Sequence, residues 1–210
     1  YFRGAMNYCI VVTEEATRFA NENQARQYLS NAINVQKRRG HTCFHIFDQA
    51  MIQSALDSEP SGEKQLERDE EKDHLFRASS LSELAEKAGI DAAALEETVA
   101  RYNSFFEEGL ERDPDYYRYT GNNVPFTGGT YYALVTNSVI LATVGGLTIN
   151  GDTQVLDTEG RVIEGLYATG NVSGNFYAGN YPRHIPGTSV GRAATFGYVA
   201  VEHMLKGGQA

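Results

Sequence analysis

The stretch that most constrains the fold runs from Gly165 to Gly197. Gly165-Leu-Tyr-Ala-Thr-Gly-Asn171 is followed by Asn180-Tyr-Pro-Arg-His-Ile-Pro-Gly-Thr-Ser-Val-Gly-Arg-Ala-Ala-Thr-Phe-Gly197. The pattern predicts a buried strand, a glycine turn, a loop, and a helix that opens on small polar residues. A helix start of that kind offers free N–H groups and a partial positive charge to a ligand. What is missing constrains the fold as much. No G-x-G-x-x-G follows a strand anywhere in the chain, and that motif is what cradles a dinucleotide pyrophosphate.

At 210 residues the chain can bury one good core or two modest ones. Its net charge of −9 argues against nucleic acid, which rewards basic surfaces. Much of that charge lies between Glu59 and Asp73, read as a solvated surface loop and helix start. The two cysteines, Cys9 and Cys43, make no disulfide framework. Neither has a C-x-x-C partner, so no metal is expected, and both are read as buried and inert. His41, His45, His74 and His203 lack metal-ligand spacing. The apolar runs are too short to span a bilayer. Residues 1–5 read as the remnant of a cleaved tag. The compartment stays open between cytoplasmic and exported.

Asn7 to Thr13 predicts a strand, with Glu14–Thr17 as a turn and Arg18–Ala20 as the return strand. A helix is expected from Glu22 to Ala32, and a second buried strand from His41 to Asp48. Ser80 is a candidate N-cap with Glu83 at the capping-box position and Gly89 as the stop. Asp91 to Phe106 is the clearest helix, with Leu95, Val99, Tyr102 and Phe106 in its apolar stripe. Strands are expected at Tyr131–Val135 and at Val139–Ile149, the latter broken by Gly145-Gly146. A hairpin joins Gln154–Asp157 to Arg161–Ile163, and Thr188 to Lys206 forms the last helix. The shift from charged helix to glycine-rich strand near residues 125–135 marks the internal boundary, with the domains divided at 125/126.

From Thr143 to Leu205 the chain resembles the FAD-dependent fumarate reductase and 3-ketosteroid dehydrogenase superfamily. The carrying segments are Thr143-Val-Gly-Gly-Leu, Val155-Leu-Asp, Val162-Ile-Glu-Gly-Leu-Tyr-Ala-Thr-Gly-Asn and Thr195-Phe-Gly-Tyr. Upstream, Arg18-Phe-Ala-Asn-Glu22 is similar to the family's RF-x-NE segment, and Phe47-Asp48 to its capping-domain strand. Leu95–Asn103 resembles the helix before its catalytic arginine. The resemblance implies an α+β fold: a substrate-capping domain over residues 7–125, then the C-terminal part of an α/β FAD-binding domain over residues 126–210. The N-terminal dinucleotide-binding half is expected to be missing.

The resemblance also implies roles. Gly109-Leu-Glu-Arg-Asp-Pro-Asp-Tyr-Tyr-Arg118 is similar to the stretch that ends in the proton-donating arginine, which places that role on Arg118. Asn21-Glu22-Asn-Gln-Ala-Arg26 is similar to the N-E-x-x-x-R relay, making Glu22 and Arg26 relay residues. Taken by themselves, Arg118 reads equally as a surface salt bridge, and Glu22 with Arg26 as an i,i+4 helical pair. Gly170, Asn171, Gly187, Thr188, Ser189 and Val190 would hold FAD, bound fully in the longer protein and weakly or not at all by this chain. Where the fumarate branch has histidines the chain has Leu141-Ala142, which points away from fumarate. Arg183 and His184 are candidates for an anionic substrate group. Tyr181-Pro182 resembles the Tyr-Pro of ketosteroid dehydrogenases, whose tyrosine polarises a ketone; the alternative is a packed aromatic beside a turn proline.

The expected function is reduction of an activated C=C bond in a small unsaturated substrate, with an unidentified electron donor and the missing N-terminal half as partners. The alternatives are a ketosteroid-type 1,2-dehydrogenation and a folded domain that binds without catalysing.

Overall fold

The structure is a computed structural model, and it describes residues 8–59, 61–139, 144–177, 181 and 185–207. The expected tag remnant therefore lies outside the described residues. The chain divides into two compact units between Ser138 and Val139. That is later than the expected boundary at 125/126, because Tyr131–Thr136 hydrogen-bonds into the sheet of the first unit.

The first unit is a mixed helix-and-sheet body. Its strands are β1 (Ile10–Thr13), β2 (Cys43–Asp48), β3 (Leu75–Ala78) and β4 (Tyr131–Thr136). They pair antiparallel in the order β1-β2-β4-β3, with His45 opposite both Val11 and Leu134. Every residue of β2 is buried, because both faces of this central strand are covered. On one face Ile10, Val12, Phe44, Ile46 and Ala133 join a core that includes Leu84, Leu95, Val99 and Tyr102. Alternation sends Val11 and Cys43 to the other face, where they pack with Leu29 and Ile33 of α1 (Arg26–Arg38). Both cysteines are buried and free, as expected.

Two helices absent from the sequence reading, α2 (Gln49–Ser58) and α3 (Gly62–Glu70), follow β2. Asp48, fully buried, starts α2 by accepting from the Met51 N–H at 3.0 Å. Its other oxygen takes the Thr127 N–H at 2.7 Å and the Gly128 N–H at 3.2 Å. The acidic run expected as a solvated surface loop and helix start is mostly helical, with Leu66 anchoring α3 in the core. Then come α4 (Leu81–Ala88), capped by the Ser80 hydroxyl and stopped by left-handed Gly89, and α5 (Ala92–Glu107), capped by Asp91. In α5 Phe105 is fully buried and Phe106 only partly so, and both ring edges meet Tyr102.

The second unit holds β5 (Gln154–Leu156), β6 (Val162–Tyr167), a short 3-10 turn (Gly170–Val172) and α6 (Thr188–Leu205). The expected hairpin is present. The strand expected to be buried is not: Val162, Ile163 and Leu166 of β6 are each at least 40% exposed. Pairing with β5 satisfies one edge of β6, but within this unit its apolar side chains stay uncovered. The strand expected over Val139–Ile149 reduces to isolated bridges at Leu147 and Ile149, with residues 140–143 outside the described set. Gly146 and Gly174 explain that local path. A Cβ on Gly146 would lie 2.4 Å from the Val172 carbonyl oxygen, so the two backbones approach as only glycine permits.

Candidate functional site

Glu22 and Arg118, far apart in sequence, meet inside the first unit. After β1 a tight turn through Ala16 (φ 57) folds the chain back, so that Arg18 bridges to Val12. Glu22 follows one short loop later. On the other side, Asp113 and Arg118 close a turn in which the Asp113 N–H donates to the Arg118 carbonyl at 2.8 Å. Left-handed Tyr117 (φ 58) lies within it, exposed, while Arg118 next to it is 1% exposed.

The Glu22 carboxylate accepts from Arg118 Nη1 at 3.0 Å and from the Val11 N–H at 3.1 Å. It also accepts two bonds from Arg18, from Nε at 3.1 Å and Nη2 at 2.9 Å. Arg18 Nη2 reaches Asp113 as well, at 3.0 Å. Arg118 donates further to the Cys9 carbonyl at 2.9 Å and to the Asn123 side chain. Two cations and two anions are therefore buried together, with Tyr102 beneath both guanidiniums at 5.4 and 5.6 Å. Burial alone would lower the Arg18 pKa, but Glu22 and Asp113 reverse that and hold it above its ordinary value. Burial, reinforced by the Glu22 charge, pushes the Cys9 thiol up to about 12, which leaves it inert. Among the described residues, Arg118 Nε and Arg18 Nη1 are buried without a hydrogen-bond partner.

Arg26 does not join this cluster. It is exposed and is the first residue of α1, with no partner among the described residues. The expected i,i+4 pair with Glu22 requires a helix starting at Glu22; the helix starts at Arg26, so that geometry never forms. Arg18, four residues before Glu22, takes the place. Arg18 also lines a cavity of about 600 Å³ with Thr17, Thr98, Arg101, Tyr102 and Tyr116. The sequence reading missed the roles of Arg18, Asp113 and Asn123. The RF-x-NE resemblance placed Arg18 beside Glu22 but assigned it no role.

The residues expected to hold FAD lie in the second unit. Left-handed Gly170 opens the 3-10 turn and Asn171 follows it. Left-handed Gly187 precedes α6, whose first turn contains Thr188, Ser189 and Val190. Ser189 Oγ lies 3.3 Å from Asn171 Oδ1, joining the two segments. Among the described residues no side chain caps α6, and its first turn holds no acidic residue. The N–H groups of that turn are therefore open to an anionic ligand, and the residues fit the group that the resemblance implies. Tyr181 is half-buried, its ring 4.9 Å from that of Tyr177. Arg183 and His184 lie outside the described residues. Among the described residues no cluster of His, Cys, Asp and Glu could hold a metal ion, and no helix is long and apolar enough to cross a membrane.

The FAD binding domain family model matches residues 7–189. The chain is 32% identical to 4-oxocyclohexanecarboxylate 2-dehydrogenase of Sinomonas cyclohexanicum, over 91% of this chain and 35% of that protein. It is 33% identical to the cytochrome-type fumarate reductase of Shewanella frigidimarina, over 95% of this chain and 32% of that protein. Among solved structures it is similar to 3-ketosteroid delta1-dehydrogenase from Sterolibacterium denitrificans, with a TM-score of 0.74 and 27% identity, over 97% of this chain and 39% of that one. The chain thus spans about a third of the length of the curated relatives it matches. With its fold and its open helix start, it belongs to the FAD binding domain family, within the superfamily of FAD-dependent fumarate reductases and 3-ketosteroid dehydrogenases.

Proposed function

We propose that the full-length protein is an FAD-dependent reductase of an activated C=C bond, on a substrate other than fumarate, and that Arg118 delivers the proton. In this reading residues 8–138 form the substrate-capping domain and the second unit is the C-terminal part of the FAD domain. The rest of that domain and an electron donor are the partners. Gly170, Asn171 and residues 187–190 would hold FAD, which would supply the hydride.

The observation that carries the reading is the continuous chain Arg18–Glu22–Arg118. An arginine holds its proton above pH 12 in water, so it acts as an acid only if the proton is replaced at once. Here the replacement has a path. A proton enters from the cavity lined by Arg18, passes to Glu22 Oε2, and crosses 3.0 Å to Arg118 Nη1. The raised Arg18 pKa opposes a stepwise transfer, so the three groups move their protons together. Arg118 gives up its proton to the substrate carbon from Nη1, the nitrogen that Glu22 then recharges. Being fully buried, it reaches substrate only when the surrounding turn opens.

The test uses the full-length protein, flavin-loaded and reduced without oxygen. Arg118→Lys is expected to lower C=C reduction by about 10²–10⁴-fold, the usual range for a lost general acid, with the flavin spectrum unchanged. Turnover retained by Arg118→Lys would remove Arg118 from the chemistry and leave it an architectural residue. A second reading, 1,2-dehydrogenation of a ketone, is favoured by Tyr181 and by the likeness to two dehydrogenases. It makes Tyr181→Phe more damaging than Arg118→Lys, and the opposite ranking excludes it.

A further inference from the structure

Arg192 is a buried cation that no carboxylate among the described residues meets. It lies on the second turn of α6 and is 6% exposed. Its Nη2 donates to the Gly170 carbonyl, to the Ser173 carbonyl at 2.6 Å and to Ser173 Oγ at 3.0 Å. The guanidinium carbon sits 5.0 Å from the Phe176 ring centre and 5.3 Å from that of Tyr177. Among the described residues no Asp or Glu pairs with it.

Carbonyl oxygens and aromatic faces soften a buried positive charge without cancelling it. The charge therefore projects into its surroundings, and those surroundings are specific. The turn that Arg192 grips carries Gly170 and Asn171. The helix that bears Arg192 begins four residues earlier, at Thr188, and its open N-terminus adds positive potential of its own. A buried charge of one sign, backed by a helix pole of the same sign, stabilises the more negative of two states of whatever binds there.

We infer that Arg192 is a positioning residue of the cofactor site that also sets its charge: it fixes the Gly170–Ser173 turn and favours the reduced, anionic state of the bound flavin over the oxidised one. The inference rests on the reading that FAD binds at the start of α6. Reduced flavin carries its charge at one edge of the ring system, and a fixed cation nearby raises the reduction potential.

The test again uses the full-length, FAD-loaded protein. The wild type is expected to hold reduced FAD at least tenfold more tightly than oxidised FAD, measured as the bound midpoint potential against that of free FAD. For a two-electron couple tenfold is about 30 mV. Arg192→Met, of similar length and uncharged, is expected to lose tenfold or more of that preference. Arg192→Lys, which keeps the charge, should stay within about threefold of wild type. Where Arg192→Met does not fold, Arg192→Gln reads the same charge loss while keeping a donor for Ser173. Equal or weaker affinity of the wild type for reduced FAD overturns the inference. So does a potential that Arg192→Met leaves unchanged, which would mean the cation is neutralised by a carboxylate from outside this chain. A wild-type protein that takes up no FAD overturns the cofactor reading itself, so the two failures are distinguishable.

Discussion

Glu22 is the residue on which most of the buried charge of the first unit depends. Removing one partner of a buried ion pair strands the others, at about 3–5 kcal/mol. Glu22→Ala is therefore expected to destabilise by about that amount in urea unfolding. Arg26→Ala, at an exposed position without a partner, should stay within about 0.5 kcal/mol. Equal effects would mean that the cluster contributes little. His45 gives a second residue-scale expectation. Its ring is buried in β2 with neither nitrogen bonded, and burial lowers its pKa to about 4 from 6.5. The unfolded chain protonates this histidine below about pH 6.5 and the folded chain does not until about pH 4. Stability is thus lost as pH falls through that window, by about 3 kcal/mol in all. His45→Leu should flatten that part of the pH–stability curve, and an unchanged slope would reject the assignment. Glu22 and Arg118 could be picked from the sequence by the order of segments around them. Arg18 could not, because Arg18 and Arg26 stand equally far from Glu22. Only the knowledge that residues 21–25 are not helical separates the two.

At the scale of elements, α4, α5 and α6 were readable in the sequence and α2 was not. Ser80, Gly89 and Asp91 each do what their side chains or lack of one dictate. Asp91→Ala is expected to cost about 1 kcal/mol in thermal unfolding, from loss of the bond to the Ala94 N–H at 2.9 Å. A smaller cost than that of an exposed Glu→Ala control on α5 would contradict a capping role. The helix after β2 was missed because its cap, Asp48, reads as the last residue of a strand; it is both. The start of α1 was placed too early because Glu22 looks like a first-turn acid, yet its carboxylate is turned inward to the arginines. Gly146 was visible only as part of a break in a strand pattern, and Gly174 not at all. Their backbones touch at 2.6 Å from a virtual Cβ, so Gly174→Ala is expected to unfold the second unit several degrees earlier than wild type. An unshifted melting curve would show that the contact relaxes freely.

At the scale of the whole molecule, the first unit carries its own core while the second leaves much of its apolar surface bare. Val190, Tyr198 and Leu205 of α6 are 76%, 70% and 83% exposed, beside the uncovered strand β6. The likeness in order and composition revealed the two units. It misplaced their boundary, because β4 reads as the opening of the glycine-rich half yet hydrogen-bonds between β2 and β3. A piece ending at Ser138 is accordingly expected to unfold cooperatively, while a piece ending at Pro125 lacks the strand that joins the sheet and should not. Cooperative unfolding of the shorter piece would disprove the topology argument.

That strand order has a consequence in time. As the chain leaves the ribosome, β2 can pair with β1 as soon as it emerges, across a connection that carries α1. Its second edge then stays open until Tyr131–Thr136 has been synthesised. For that interval a strand that is wholly buried in the finished fold presents unpaired N–H and C=O groups to its surroundings. The nascent chain is therefore most open to misassembly in the stretch of translation between β2 and β4, and slowing synthesis there prolongs the hazard.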